Sequence, residues 1–234
     1  MVKKKNKPEV KNRKLIAFTN PKSRVSEQFR TLRTNLHFSS PDGDIQSLAI
    51  TSASHSEGKS TTASNLAIVF AQEGKRVLLI DADMRKPTMH ETFKITNTRG
   101  LSSVLTRQIA LKVAIQSAEI KNLDLLPCGP IPPNPAELLS SHSMDLFFEQ
   151  ALDTYDLLIF DTPPVLSVTD SVILANKCEG TLLVVNSGKT EREYALRAKE
   201  ALTASTKTRL LGAVINNVKV QKDAAYEQYY GTDS

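Results

Sequence analysis

Six short apolar segments, separated by stretches with helix signals, constrain the fold of this 234-residue chain more than any other feature. Near-continuous apolar runs of this kind are typical of parallel strands that are covered on both faces of a sheet. Their alternation with helices predicts an α/β fold with a mostly parallel central sheet flanked by helices on both faces. The predicted strands cover residues 47–51, 76–81, 123–127, 155–161, 181–186 and 210–217.

The stretches between these strands carry recognisable helix boundaries. Asn134 is a good N-cap, Pro135 fits the first helical position, and Glu137 is placed to reach back to the Asn134 backbone as in a capping box. Gly74 ends the helix that follows the first strand, which we expect to be amphipathic. These helices are predicted over residues 59–72, 170–178 and 190–205, with the Asn134 helix between the third and fourth strands.

One more helix is predicted before the first strand, ending in the turn-forming residues 39–43. Its apolar residues recur at a spacing that places them on one helical face. Glu27, Arg30 and Arg33 occupy an arc of about 120° away from that face. By pattern alone, these charges indicate a solvated surface with a weak i,i+3 ion pair. The apolar face consists of Val25, Phe29, Leu32 and Leu36.

Length and composition predict one folded domain between two polar ends. We expect a flexible basic arm over residues 1–20, a domain over 21–218 and a flexible tail over 219–234. The net charge of +5 is concentrated in the arm, which suits a solvated segment or, alternatively, attraction to acidic headgroups. The charge lacks the interleaved aromatic residues of nucleic-acid readers, so nucleic acid is not an expected partner.

The sequence also gives expectations about location. An apolar run long enough to span a bilayer is missing, as is the apolar region of a signal peptide. The two cysteines, Cys128 and Cys178, are far apart and outside any CxxC pair, which fits a reducing compartment. These features predict a soluble, cytoplasmic chain.

A phosphate-binding loop is predicted between the first strand and the helix at 59–72. The sequence Ala53-Ser-His-Ser-Glu-Gly-Lys-Ser60 ends in the GKS triplet of the Walker A pattern, which indicates a P-loop NTPase-type fold. Gly58 lets backbone N–H groups turn towards phosphates, Lys59 neutralises phosphate oxygens, and the Ser60 hydroxyl suits Mg²⁺. Ala53 stands where the pattern has its first glycine. An alanine is tolerated there if its φ angle is negative. The alternative is a simple helix-capping turn.

Three aspartates end two of the predicted strands. Asp81 and Asp83 lie at the C-terminal end of the second strand, and Asp161 ends the strand at 155–161. The carboxyl ends of parallel strands meet at one edge of a sheet, where ligands and phosphate loops also lie. Oxygen donors suit Mg²⁺, so the sequence predicts one Mg-nucleotide site, although each aspartate could instead cap a following helix. Arg85 and Lys86 either neutralise phosphate charge or simply keep their loop solvated.

Together these motifs support a family resemblance. ASHSEGKS, LLIDADMRKP and LLIFDTPP, in this order, resemble the Walker A, Walker A′ and Walker B motifs of the bacterial tyrosine kinases. More narrowly, the chain resembles the separate cytoplasmic kinase subunits of Gram-positive capsule and exopolysaccharide systems. The resemblance covers nearly the whole chain, from about residue 22 to the tail.

The resemblance implies roles at the nucleotide site, with ATP and Mg²⁺ as the cofactors. Lys59 would bind the β- and γ-phosphates, and Ser60, Asp83 and Asp161 would hold the metal, the carboxylates directly or through water. Asp81 would accept the proton of the tyrosine hydroxyl, and Lys59 and Asp83 complete the catalytic set. Further nucleotide contacts are expected from Ser54, Ser56, Glu57, Gly58, Thr61, Asn216 and Asn217.

Two interpretations are open for the asparagine pair at positions 216 and 217. Asn216 and Asn217 lie at the end of the last strand, where the resemblance implies contact with the adenine. An ordinary loop turn explains the same pair of residues.

The resemblance also implies partners and a location. Tyr226, Tyr229 and Tyr230 would be autophosphorylation sites, and Glu27, Arg30 and Arg33 would join subunits into a homo-oligomeric ring. A transmembrane activator would hold the kinase at the inner face of the plasma membrane and support ATP binding. Enzymes of sugar-nucleotide synthesis would be further protein substrates, and the kinase would regulate the synthesis of capsular or extracellular polysaccharide.

The alternative function is a positioning or partitioning switch ATPase that has no protein substrate. The ATPases of this class are wider relatives of the bacterial tyrosine kinases, and they carry a second lysine five residues before the lysine of the GK pair. Ser54 occupies that position in this chain, so the residue that marks the switch ATPases is replaced.

Overall fold

The computed structural model describes residues 15–39, 45–205 and 207–219. Its strands form one seven-stranded sheet in the order β3-β4-β2-β5-β1-β6-β7. All pairs are parallel except β3 with β4, which confirms the predicted mostly parallel sheet. The strands are β1 (Ser47–Ser52), β2 (Val77–Asp81), β3 (Gln116–Ser117), β4 (Leu123–Leu126), β5 (Leu157–Asp161), β6 (Gly180–Asn186) and β7 (Leu210–Asn216).

Helices cover both faces of this sheet, as predicted. One face packs against α1 to α3 and the other against α5 to α9, with α10 beside β6. The helices are α1 (Ile16–Thr19), α2 (Arg24–Phe38), α3 (Lys59–Glu73), α4 (Met89–Phe93), α5 (Leu101–Leu105), α6 (Leu111–Ala114), α7 (Pro135–Ser140), α8 (His142–Leu152), α9 (Asp170–Lys177) and α10 (Arg192–Thr203).

Helix α3 is buried around most of its circumference, so the expected amphipathic pattern is wrong for this helix. Every residue from Lys59 to Ala71 except Thr61 is buried. The sheet lies on one side of α3, and α1 and α2 cover the opposite side. A helix between two layers is apolar all round because both sides exclude water. Gly74 ends the helix at φ 114°, as predicted.

The folded region begins earlier than predicted, so the flexible arm over residues 1–20 is wrong from Leu15 onward. Residues 16–19 form α1, in which Ala17 is fully buried. The backbone N–H of Ala17 donates to Asn65 Oδ1 at 2.9 Å, and its carbonyl accepts from Gln72 Nε2 at 2.9 Å. Both partners lie on α3, which explains why a local pattern fails to predict this helix.

The predicted apolar face of α2 is correct except at its first member. Leu36 is buried, and Phe29 and Leu32 pack against the core, but Val25 is 46% exposed. Ser26 occupies the inward position in this first turn. Its hydroxyl donates to the carbonyl oxygens that α1 presents, at 2.7 Å to Asn20 and 3.2 Å to Ile16.

Helix α7 begins where predicted but without the predicted capping box. Asn134 is the N-cap and Pro135 the first helical residue. The Glu137 carboxylate accepts a hydrogen bond from the Asn134 side-chain amide and not from its backbone N–H. A side-chain pair thus replaces the expected contact with the backbone.

Two of the expected segments lie outside the described residues: the basic arm up to residue 14, and the tail that carries Tyr226, Tyr229 and Tyr230. Within the described ranges, none of the helices has the length and apolar character required to cross a bilayer.

Candidate nucleotide-binding site

The sheet topology brings the phosphate loop and the three aspartates together. Strands β2, β5 and β1 are neighbours, so the loop after β1 lies beside the carboxyl ends of the other two. Asp81 and Asp161 are register partners on β2 and β5. Asp83 follows two residues after Asp81. The predicted convergence of these side chains at one sheet edge is therefore present in the structure.

The backbone of the phosphate loop adopts a left-handed turn at two positions. Ser56 has φ 61° and Gly58 has φ 98°. A Cβ atom on Gly58 would lie 1.9 Å from Asn216 Nδ2, so only glycine fits between the loop and the end of β7. Ala53 is not one of the non-glycine residues that have a positive φ in the described part of the chain. The alanine at the first glycine position of the pattern is therefore unstrained.

The Lys59 ammonium lies at the centre of the site. Its Nζ atom is 3.0 Å from Asp83 Oδ2, 3.3 Å from Asp161 Oδ1 and 3.3 Å from Ser60 Oγ. Burial by itself lowers the pKa of Lys59, but the charges of Asp161 and Asp83 outweigh it and raise the pKa above its usual value. Lys59 is therefore a fixed positive charge among buried oxygen atoms.

Asp81 is fully buried and both of its carboxylate oxygens are engaged by backbone N–H groups. One oxygen accepts from Asp83 at 3.3 Å, and the other accepts from Thr88 at 3.0 Å and Met89 at 2.9 Å. Burial and the neighbouring charge of Asp161 raise the pKa of Asp81 to about 7. Asp81 therefore caps the loop that leads into α4, as the alternative interpretation expects, and its role in the nucleotide site stays a prediction.

The residues at this edge fit a magnesium-bound nucleotide. The three oxygen-bearing side chains around Lys59 are the donors predicted for the metal: Ser60, Asp83 and Asp161. A positive group already stands among them, which shows that this pocket of oxygens stabilises a cation. Hard oxygen donors are also the ligands that Mg²⁺ prefers.

Comparison with known proteins gives the family. A family model described as an AAA domain matches residues 46–210. Tyrosine-protein kinase YwqD of Bacillus subtilis is 54% identical over 232 residues, covering 99% of this chain and 97% of that protein. The chain belongs to the bacterial tyrosine kinases.

Two solved structures agree with this family. The chimerical protein CapA2B2 is 42% identical, with a TM-score of 0.85 over 88% of this chain and 90% of that one. The kinase domain of the Escherichia coli tyrosine kinase ETK is 34% identical, with a TM-score of 0.82 over 90% and 84% of the two chains. The predicted P-loop fold and the predicted enzyme class, protein-tyrosine kinase, are therefore confirmed.

The last strand of this kinase holds the phosphate loop from one side. The Asn216 side-chain amide donates to the Glu57 carbonyl at 3.0 Å, and its oxygen accepts from the Asn217 N–H at 2.9 Å. Asn217 is left-handed, with φ 57°. The two asparagines thus form a turn against the phosphate loop, as the alternative interpretation of an ordinary loop turn predicts. Their contact with the adenine stays a prediction.

The kinase contains partners of the site that sequence reasoning missed. Arg85 donates to both carboxylate oxygens of the buried Asp170 at 3.0 Å, joining the loop after β2 to the start of α9. Thr190 donates to the carboxylate of Glu57 at 2.6 Å. Asp170 lies 85 residues from Arg85, and Thr190 lies 133 residues from Glu57, so only the tertiary fold reveals these pairs.

The predicted oligomerisation residues do not form one free surface in the kinase subunit. Glu27 and Arg30 form an ion pair with each other, and Arg30 also donates to the Pro21 carbonyl at 2.8 Å. Arg33 donates to the Val69 carbonyl of α3 at 2.8 Å, and its side chain is only 18% exposed. Arg33 therefore has a structural contact within its own subunit.

Proposed function

We propose that this kinase transfers the γ-phosphoryl group of Mg-ATP to tyrosine hydroxyls, beginning with Tyr226, Tyr229 and Tyr230 of its own tail. The observation that carries this proposal is the position of Lys59, whose ammonium contacts oxygen atoms of Ser60, Asp83 and Asp161. A lysine in this position can contact the phosphate oxygens of a nucleotide that is bound in the phosphate loop. Membership of the tyrosine kinase family makes tyrosine the expected acceptor.

The proposed chemistry depends on positioning and charge. The backbone around Gly58 receives the phosphates, and Lys59 moves from the carboxylates to the β- and γ-oxygens. Ser60, Asp83 and Asp161 would hold Mg²⁺, which would neutralise negative charge on the phosphates. With Lys59 turned to the nucleotide, Asp83 and Asp161 would lose their compensating positive charge, which suits them to hold a cation.

Asp81 is the proposed acceptor of the tyrosine proton. A tyrosine hydroxyl has an ordinary pKa near about 10, so a positioned base assists its attack on phosphorus. In the metal-free protein, burial and the charge of Asp161 raise the pKa of Asp81, which makes this carboxylate a better proton acceptor than an ordinary aspartate. Its backbone hydrogen bonds hold it in one orientation during that step.

We further propose that subunits assemble into a ring through Glu27, Arg30 and Arg33, so that one subunit's tail meets the next subunit's nucleotide. A transmembrane activator would recruit the kinase to the inner face of the plasma membrane and steady the ATP site. The process served would be capsular or extracellular polysaccharide synthesis, with sugar-nucleotide enzymes as additional substrates. These assignments rest on the family to which the chain belongs.

Phosphate mapping tests the proposed function. The full chain would be incubated with Mg-ATP, with and without the cytoplasmic segment of a cognate activator, and phosphorylated residues located by mass spectrometry. We expect phosphotyrosine in the tail, and none in Lys59→Met, whereas Lys112→Met on exposed α6 labels as the unmodified chain does. ATP hydrolysis without any phosphotyrosine, under both conditions, would favour the switch ATPase.

A further inference from the structure

A buried acidic side chain lies inside the phosphate loop, at the position directly before Gly58. Glu57 is only 2% exposed. A negative charge beside a site for a triphosphate repels the ligand, so its presence there requires another explanation. The hydrogen bonds of the carboxylate supply one.

Both carboxylate oxygens of Glu57 are bonded within the protein. One oxygen accepts from the Ser54 backbone N–H at 3.0 Å, which closes the loop on itself across three residues. The other accepts from the Thr190 hydroxyl at 2.6 Å. Buried charged acceptors with two good donors are stable in one geometry, because losing either donor leaves a desolvated charge.

The bond to Thr190 connects the loop with a second region of the site. Thr190 Oγ1 also accepts from the Asn186 N–H at 2.8 Å, so the residues between β6 and α10 form a closed turn around this hydroxyl. The backbone carbonyl of Glu57 meanwhile accepts from the Asn216 amide at 3.0 Å. One residue therefore ties the phosphate loop to the ends of both β6 and β7.

These hydrogen bonds of Glu57 also affect the backbone conformation of the phosphate loop. Glu57 stands between Ser56 and Gly58, the two positions of the loop that have left-handed backbone angles. A non-glycine residue such as Ser56 adopts that conformation at an energetic cost, and surrounding contacts must hold it there. The Glu57 bonds on one side and the Asn216 bond on the other supply those contacts.

We propose that Glu57 is a positioning residue whose carboxylate, clamped by Ser54 and Thr190, holds the phosphate loop in its anion-binding shape and fixes it to the β6–α10 turn. This inference deepens the proposed function and rests on it, because the loop is taken to bind Mg-ATP. The clamp acts on nucleotide affinity through loop geometry and not through contact with the phosphates.

The test is equilibrium binding of a fluorescent ATP analogue, with Mg²⁺, to the full chain. Glu57→Ala removes both bonds of the carboxylate, and Thr190→Val removes one of them together with the bond from the Asn186 N–H. Each variant should raise the dissociation constant by about tenfold or more. Glu57→Gln keeps one acceptor for Ser54 and offers a donor to Thr190, so it should bind within about threefold of the unmodified chain. Thr190→Ser, which retains the hydroxyl, should do the same.

The control is Thr203→Val on α10. Its hydroxyl donates to the Lys199 carbonyl at 2.9 Å at an exposed helical position, so this variant makes the same chemical change away from the loop. Unliganded melting curves identify any variant that unfolds, and if Glu57→Ala does, the Thr190→Val and Thr190→Ser pair decides alone. The double variant Glu57→Ala, Thr190→Val should lose less binding free energy than the sum of the two single losses, because both single variants break the same bond.

Three results would overturn the inference: unchanged affinity in Glu57→Ala and Thr190→Val, independent additive losses in the double variant, or a Glu57→Gln protein as weak as Glu57→Ala. The last result would assign the effect to the charge and not to the clamp. Failure of the unmodified chain to bind the analogue would instead contradict the proposed function, so the two failures are distinguishable.

Discussion

Lys59 shares its buried site with three carboxylates, so negative charge exceeds positive charge wherever all four groups are ionised. Asp81, Asp83 and Asp161 are each no more than 4% exposed. Excess negative charge away from water favours protonation, and the pKa of Asp81 rises because it is the most deeply buried of the three. A bound metal ion would remove this imbalance, which is consistent with the proposed Mg²⁺ site.

The raised pKa of Asp81 predicts a pH-dependent stability in metal-free protein. Between the ordinary aspartate pKa of about 4 and the folded value of about 7, the folded protein keeps a proton that the unfolded chain has released. The resulting stabilisation is complete below about pH 4 and is lost as the pH rises through about 7. The Asn side chain in Asp81→Asn does not titrate, so the stability of this variant does not fall for this reason as the pH rises.

Urea denaturation in a chelator, compared at about pH 5 and about pH 8, measures the effect. The free energy of unfolding of Asp81→Asn, relative to the unmodified chain, should increase by about 1–3 kcal/mol across that interval. A difference that stays constant with pH would mean that Asp81 is ionised throughout.

Both cysteine thiols should react slowly in the folded kinase. Burial, followed by the charges of Asp81 and Asp83, raises the pKa of Cys128 to about 12, and burial also raises the pKa of Cys178. Because the thiolate is the reactive form, iodoacetamide near about pH 8 should modify neither thiol until urea is added. Rapid alkylation of Cys128 in the folded protein would contradict the buried geometry beside the site.

Helix α3 connects the nucleotide site with the predicted oligomerisation helix. It begins with Lys59 and Ser60 at the phosphate loop and ends at Glu73. At that far end, Arg33 donates to the Val69 carbonyl and lies 3.4 Å from a Glu73 oxygen. An arginine there satisfies a carbonyl of the last helical turns and complements the helix dipole.

The contacts of Arg33 predict a difference between two arginines of the same motif. Arg33→Ala removes the hydrogen bond to the Val69 carbonyl and the ion pair with Glu73, and should lower the free energy of unfolding by about 1–2 kcal/mol. Arg30→Ala loses a more exposed ion pair and should cost about 0.5 kcal/mol or less. Urea denaturation at concentrations where the protein is monomeric measures both, and equal losses would mean that Arg33 acts only between subunits.

Local patterns were sufficient for the elements around the site. The apolar runs predicted β1, β2 and β5, and the GKS triplet correctly predicted the start of α3. Helix α1 could not be predicted, because Asn65 and Gln72 hold Ala17 from 48 and 55 residues away. Short helices of this kind are stabilised by tertiary contacts and not by their own propensity.

The site itself was predictable in composition but not in its internal bonds. The spacing of Asp81, Asp83 and Asp161 at strand ends is a sequence pattern, and parallel topology forces them together. The pairing of Glu57 with Thr190 follows only from the packing of β6 against β1, which no local signal encodes. Loop-to-loop hydrogen bonds depend on the complete sheet order, whereas strand ends depend on single segments.

Tail phosphorylation should loosen the assembled molecule. Replacing Tyr226, Tyr229 and Tyr230 with Phe should leave Mg-ATP binding unchanged and abolish tyrosine labelling of the tail. Phosphates on these tyrosines add negative charge near the proposed interface, so the modified chain should dissociate and the Phe variant should stay assembled in the presence of ATP. Sedimentation velocity measures both states, and identical sedimentation would contradict a charge-driven release.

The most direct measurement is a crystal structure of the kinase with Mg²⁺ and a non-hydrolysable ATP analogue. We expect Lys59 Nζ to leave Asp83 and Asp161 for the β- and γ-phosphates. We expect Mg²⁺ to stand among Ser60, Asp83 and Asp161, with Asp81 facing the γ-phosphate. A structure in which the nucleotide binds elsewhere, or in which these carboxylates point away from the phosphates, would contradict the account.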